Sequence, residues 1–221
     1  MSNEVRSPAV KPKLRIGIMI DSLQVPAYFA CAVRNILASG CATFELIVVN
    51  KIAPAPRSLV SKLSHLWRGL IFGLYFRADK AIFSPQPNAL EPVDVRSILP
   101  SVPVLGVVPI RRKWRDSFQA ESIDKIRSCR LDVMIREGFG ILQGEILKVA
   151  KFGVWSQHHG DNRCLRGGPP GFHEVMEGWP VSGYTLQVLT EELDGGQVIY
   201  RSFTATDPLS VIRQYHRHQM F

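Results

Sequence analysis

The stretch LRIGIMI, residues 14–20, is a continuous apolar run between Lys13 and Asp21. Its branched side chains and its lack of polar alternation predict a strand buried on both faces, as in a parallel sheet covered by helices. Residues 27–40 follow with helical spacing that stops at Gly40, and residues 44–50 form a second apolar run. These segments predict a β-α-β unit.

Strands and helices keep alternating along the rest of the chain. We predict a helix over 57–76, a proline-punctuated connection over 77–102, a strand over 102–108, a helix over 122–130, a strand over 131–138, a helix over 142–150 and a strand over 152–159. Within 184–204, two β runs are joined by the turn-forming residues LDGG. The order predicts an α/β fold with a doubly wound, mostly parallel sheet and a closing β-ribbon.

Length and composition indicate one domain, because 221 residues with 46% hydrophobic content can bury one sizeable core. We expect a flexible N-terminus over 1–12, the α/β domain over 13–207 and a short C-terminal tail over 208–221. This tail is either complete or truncated. The basic, aromatic segment 61–80 is read as an amphipathic helix packed on the sheet, with a membrane-surface or partner-binding role as the alternative.

Cysteine usage and charge bear on the compartment and the partner. The four cysteines stand far apart without a CxxC pair, and the polar N-terminus does not resemble a signal peptide, so a cytoplasmic location is predicted. No apolar window reaches the ~18 residues of a membrane span. The formal net charge of +8 suits an anionic partner, although it is spread along the chain.

Two polar stretches follow predicted strands, at the edge where parallel sheets bind ligands. They are REGFGIL, residues 136–142, and SQHHGD, residues 156–161. Adjacent histidines that run into a glycine-proline loop suggest polar groups held at a cleft. The histidine, aspartate and cysteine side chains nearby lack a recognised metal-ligand spacing, so no metal site is predicted.

Three blocks of the chain, in order, resemble those of the folate-dependent formyltransferases, which act on glycinamide ribonucleotide, methionyl-tRNA and sugars. The blocks are LDVMIREGFGIL, FGVWSQHHGDNRCLRGG and SGYTLQVLTEELDGGQVI. The residues that match the family motifs are Gly138, Phe139, Ile141 and Leu142, then His158, Arg166 and Gly167, then Leu193, Asp194 and Gly196. The resemblance is good over about 131–200 and implies a formyltransferase-like variant of the Rossmann fold.

The resemblance also implies the chemistry, which is formyl transfer from 10-formyltetrahydrofolate as co-substrate to a primary amine. Its catalytic residues would be His158, Asp194 and Ser156. The folate would lie against Gly138, Phe139, Gly140, Ile141 and Leu142, with Gly138 and Gly140 allowing the pterin to approach the backbone closely. The acceptor would contact His159, Asp161, Arg166 and Gly167.

One position departs from the family pattern, because Ser156 stands where the family has asparagine. A serine hydroxyl is shorter than an asparagine amide and reaches the oxygen of a tetrahedral intermediate less directly. A shift by one residue would align Gln157 and His159 instead, and alternating strand side chains allow only one pair to face the cleft. We expect that pair to be Ser156 and His158.

The acceptor implied is a small amine, either neutral or anionic, such as an amino sugar or a nucleotide-linked sugar. The alternatives are a methionyl-tRNA formyltransferase-like enzyme and a catalytically weakened folate-binding or scaffold homologue. We expect tRNA to be disfavoured, because the chain ends at Phe221 without a further barrel domain. Neither DNA nor a membrane is an expected partner.

Overall fold

The computed structural model describes residues 12–52, 70, 73–84, 87–161, 163–164, 169–192 and 195–220. Within them the strands are β1 Leu14–Ile20, β2 Gln24–Pro26, β3 Ala42–Asn50, β4 Pro92–Asp94, β5 Val104–Val107, β6 Ile110–Arg112, β7 Arg115–Ser117, β8 Val133–Arg136, β9 Ile141–Leu142, β10 Val154–His159, β11 Val181–Val188 and β12 Gln197–Ala205. The α-helices are α1 Ala27–Ala38, α2 over 73–83, α3 Ala120–Ser128, α4 Phe172–Met176 and α5 Val211–Met220, and Val95–Ser97 and Gly144–Lys148 are short 3₁₀ helices.

The main sheet has the order β12-β11-β10-β8-β1-β3-β5 among the described strands. Neighbours from β5 to β10 pair in parallel, whereas β11 and β12 are antiparallel additions at one edge. The predicted α/β class, parallel sheet and closing β-ribbon are therefore confirmed. A smaller sheet of β6, β7 and β9 lies beside it and was not predicted.

Helices cover both faces of the sheet, as the uninterrupted apolar strands require. On one face Ile18 of β1 and Ile47 of β3 belong to the same buried cluster as Phe29 of α1. On the other, Met134 of β8 and Val154 of β10 are buried with Ile126 of α3. Alternation along each strand sends successive side chains to opposite clusters.

Two predicted elements differ in the structure. The helix predicted over 142–150 is a 3₁₀ helix over Gly144–Lys148, because Leu142 pairs with Asp116 in the small sheet and Gly144 takes a φ of 78°. In the segment predicted as a C-terminal tail, helix α5 buries Val211 and Gln214. Most of the predicted helix over 57–76 lies outside the described residues.

The described helices include none that is both long and apolar enough to cross a bilayer.

Candidate active site

A cavity of about 110 Å³ opens at the carboxyl end of β10. Two sequence blocks meet there, because Ile141 and Leu142 from the loop after β8 line it together with Ser156 and His158 from β10. Strand β11 closes the cavity from the third block with Gln187, which lies directly opposite Ser156 in the antiparallel register. The expected pair Ser156 and His158 thus shares one cavity.

The buried Ser156 hydroxyl is held by Arg136, the last residue of β8. Arg136 Nη1 donates to Ser156 Oγ over 3.0 Å, and Nη2 donates to the carbonyl oxygens of Phe139 and Gly140 over 3.0 and 2.9 Å. The guanidinium therefore ties the loop after β8 to the serine. Because the hydroxyl accepts from a cation, its own hydrogen becomes a stronger donor.

The loop at residues 138–140 is anchored by two aspartates. Asp21 Oδ1 accepts from the Phe139 N–H over 2.8 Å, and Asp116 Oδ2 accepts from the Gly140 N–H over 2.6 Å. Burial acts to raise the pKa of Asp116, but hydrogen bonds from Arg111 and Gly140 outweigh it and hold the pKa below its ordinary value. Phe139 has a φ of 68°, a strained conformation for a residue with a side chain, and these anchors maintain it.

The structure gives the glycines in this loop a second role, beside the predicted one. A Cβ at Gly138 would lie 2.4 Å from the Asp21 backbone nitrogen, and one at Gly140 would lie 2.6 Å from the Trp114 carbonyl oxygen. The missing side chains let the loop pack closely against its own protein. That the loop lines a folate site stays a prediction.

A second, more open cavity of about 500 Å³ lies on the other side of residues 139 and 140. It is lined by Asp21, Asn50, Ile52, Arg111, Lys113, Trp114, Phe139 and Gly140. The predicted folate-site residues are therefore divided, with Phe139 and Gly140 at this cavity and Ile141 and Leu142 at the smaller one. Both cavities lie at the carboxyl edge of the parallel strands, where the fold class places ligands.

The opposite face of β10 carries a polar network that the sequence did not predict. Tyr28 donates to Glu137 Oε1, Gln157 Nε2 donates to Glu137 Oε2 over 2.8 Å, and Tyr184 donates to Gln157 Oε1 over 2.7 Å. Burial raises the pKa of Glu137 to about 7, against the lowering effects of Tyr28 and Arg136. The network closes the polar end of an apolar cavity of about 410 Å³ beside α1. We do not place the active site there, because these polar groups satisfy one another.

His159 and Asp161 do not join the cavity of Ser156 and His158. His159 lies on the opposite face of β10, where its ring packs against Tyr215 and its Nδ1 is 2.8 Å from Gln219 Nε2. Asp161 forms a local ion pair with Arg163 Nη2 at 2.6 Å. Neither residue lines the cavity of Ser156 and His158, and their contact with the acceptor stays a prediction.

Three of the predicted site residues, Arg166, Gly167 and Asp194, lie outside the described residues. Among the described residues, no group of three or more histidine, cysteine, aspartate or glutamate side chains is placed to hold a metal ion. Sequence reasoning missed Arg136 and Gln187. A charged residue at the end of the buried run VMIR was the available signal for Arg136, whereas nothing local distinguished Gln187.

Comparison with known proteins gives relatives in sequence over part of the chain. The methionyl-tRNA formyltransferases of Bacillus thuringiensis and Bacillus cereus are 28% identical to it over 130 residues, which is 58% of this chain and 39% of each relative. The chain therefore matches well under half the length of these curated relatives. No family model matches the chain.

Solved structures share the fold at low sequence identity. Glycinamide ribonucleotide transformylase 1 of Symbiobacterium toebii has a TM-score of 0.58 at 12% identity, covering 94% of this chain and 82% of that one. A formyltetrahydrofolate deformylase of Pseudomonas syringae has a TM-score of 0.59 at 15% identity, covering 95% and 57%. With the sequence relatives, they confirm the predicted resemblance to the folate-dependent formyltransferases.

Proposed function

We propose that this chain, similar in sequence motifs and in fold to the folate-dependent formyltransferases, transfers a formyl group from 10-formyltetrahydrofolate to a primary amine. The observation that carries the proposal is the convergence of three separated blocks on one cavity. Ser156 and His158 face Ile141 and Leu142 there, and Gln187 of the third block completes the wall. The sequence similarity to methionyl-tRNA formyltransferases also supports this class of reaction.

In the proposed reaction, the amine nitrogen attacks the formyl carbon and gives a tetrahedral intermediate with a negatively charged oxygen. His158 and the Ser156 hydroxyl donate hydrogen bonds to that oxygen, and Arg136 polarises the hydroxyl from behind. Asp194, through a water molecule, takes the proton of the attacking nitrogen. The bond from the formyl carbon to N10 then breaks, and N10 receives the proton as tetrahydrofolate leaves.

The acceptor in this proposal is a small anionic amine, such as an amino sugar carrying a phosphate or a nucleotide. Its support is the cavity of about 500 Å³ beside residues 139 and 140, where Lys113 and Arg111 bring positive charge. Arg111 is paired with Asp116 at 2.7 Å, so Lys113 is the cation more available to an anionic group. A second acceptor, methionyl-tRNA, is favoured by the sequence relatives, which carry that name.

The test is an acceptor screen with 10-formyltetrahydrofolate that follows the release of tetrahydrofolate. Its separate arms contain amino-sugar nucleotides, methionyl-tRNA, or water alone. We expect acceptor-dependent release with the first class. Folate binding without release in any arm would make the chain a binding protein, and a lack of both binding and release would refute the proposal.

The catalytic assignment is tested in the active arm with His158→Ala and Asp194→Asn. Each change should lower kcat by about a hundredfold, and the double variant should lose little more, because the two groups serve the same step. The matched control is His173→Ala, since His173 lies on α4 beside Glu177 and does not line the cavity. Full activity of Asp194→Asn would refute the assignment.

A further inference from the structure

The position where the related enzymes carry an asparagine amide is filled by Ser156, whose hydroxyl offers a single donor hydrogen and no amide. Ser156 is 2% exposed, and its Oγ accepts from Arg136 Nη1 over 3.0 Å. A serine side chain also ends closer to the backbone than an asparagine side chain. The cavity therefore lacks an amide from β10 that faces the proposed formyl group.

Strand β11 brings an amide to the same place from across the sheet. Gln187 is the direct antiparallel partner of Ser156, and Thr185 is the partner of His158. Side chains of directly paired residues lie on the same face, with Cβ atoms about 4.5–5.5 Å apart. Gln187 accordingly lines the small cavity together with Ser156 and His158.

The Gln187 amide is buried and lacks a partner for its oxygen. The residue is 5% exposed, and Oε1 has no hydrogen-bond partner in the described part of the chain. Gln157 donates to Glu137 and Gln214 accepts from the Asp207 N–H, whereas Gln219 shares an unpaired Oε1 with Gln187 but has its Nε2 2.8 Å from His159 Nδ1. A polar atom left unsatisfied in a protein interior costs free energy, and a catalytic role is one of the explanations for such an atom.

The loop before β12 holds this amide in place. A Cβ at Gly196 would lie 3.1 Å from Gln187 Oε1 and 2.6 Å from the Val188 carbonyl oxygen. The glycine thus lets the loop near the end of the third sequence block pack directly on the Gln187 side chain. The loop therefore packs against Oε1, and among the described residues none forms a hydrogen bond with this oxygen.

We propose that Gln187 supplies the amide that hydrogen-bonds the formyl oxygen, in place of the asparagine that Ser156 replaces. Glutamine is one methylene longer than asparagine, which compensates for its origin on the neighbouring strand. Rotation of the terminal amide directs Nε2 towards the oxygen as negative charge develops there. This inference rests on the proposed formyl transfer.

The experiment compares Gln187→Leu with the wild-type chain in the tetrahydrofolate-release assay. Leucine fills a similar volume without an amide. We expect kcat to fall by about a hundredfold while KM for the folate changes less than about threefold, because the lost contact forms mainly in the transition state. Thermal unfolding should show no loss of stability, whereas a purely structural glutamine would show one.

A rescue variant separates the amide from other effects of the substitution. Adding Ser156→Asn to Gln187→Leu returns an amide from β10, and kcat should recover at least tenfold. The matched control is Gln24→Leu, which removes an exposed glutamine on β2 and should leave kcat unchanged.

The outcomes distinguish the two proposals. An active wild-type chain whose Gln187→Leu variant keeps its kcat would overturn the role of Gln187 alone. Loss of kcat without any rescue by Ser156→Asn would also overturn it, because the amide would then not be the missing group. A wild-type chain that releases no tetrahydrofolate would overturn the proposed function and this inference with it.

Discussion

Replacing Glu137 by glutamine is expected to remove a pH-dependent loss of stability from the protein. The carboxyl group lies in the network with Tyr28, Gln157 and Tyr184, and burial raises its pKa from 4.5 to about 7. A folded state with a raised pKa binds more protons than the unfolded chain between these values. The Glu137 carboxyl group therefore contributes its full stabilisation of the folded state below about pH 4.5, and this stabilisation is lost as the pH rises through 7.

The size of the effect follows from the shift. A rise from 4.5 to about 7, at ~1.36 kcal/mol per pH unit, gives a loss of about 3 kcal/mol in the free energy of unfolding. Glutamine is similar in shape and stays neutral, so Glu137→Gln should not lose stability over this range. The difference between variant and wild type should therefore grow by about 3 kcal/mol from pH 4.5 to pH 8.

The assay is urea unfolding, followed by tryptophan fluorescence at several pH values. Tyr28→Phe provides a matched test, because the Tyr28 hydrogen bond lowers the pKa of Glu137, and its loss should move the transition to higher pH. Glu121→Gln is the control, since the Lys125 hydrogen bond holds the pKa of that exposed carboxyl below its usual value. Parallel pH profiles for wild type and Glu137→Gln would refute the reasoning.

The other predictions concern the loop and the cavities. Gly138→Ala should lower the melting temperature strongly, because its Cβ would overlap the Asp21 backbone; Gly73→Ala, with nothing within 4 Å, is the control, and equal melting temperatures would contradict this. Arg136→Met should lower kcat at least tenfold, because it removes the hydrogen-bond donor to Ser156, and KM should change less than kcat. Lys113→Met should raise KM for an anionic acceptor more at low than at high salt; a salt-independent KM would contradict it.

The local pattern of the chain determines most of the fold. The apolar run at residues 14–20 is strand β1, and the alternation of strands with helices gives the parallel sheet. Alternation also places Ser156 and His158 on one face of β10, which required only the twofold period of a strand. The prediction of a helix over 142–150 was wrong, because Leu142 pairs in a small sheet with Asp116, which is distant from it in the sequence.

The tertiary structure alone decides which further groups line the cavity of Ser156 and His158. Gln187 faces Ser156 because of the β10–β11 register, and Arg136 reaches the same hydroxyl from β8. Neither contact can be read from the spacing of residues within one strand, because each joins two strands. The relative position of those strands is set by packing of the whole sheet. The same holds for Glu137, whose burial beside Tyr28 from α1 turns an ordinary carboxyl into one that titrates near neutral pH. Side-chain direction is a property of the strand, whereas side-chain environment is a property of the fold.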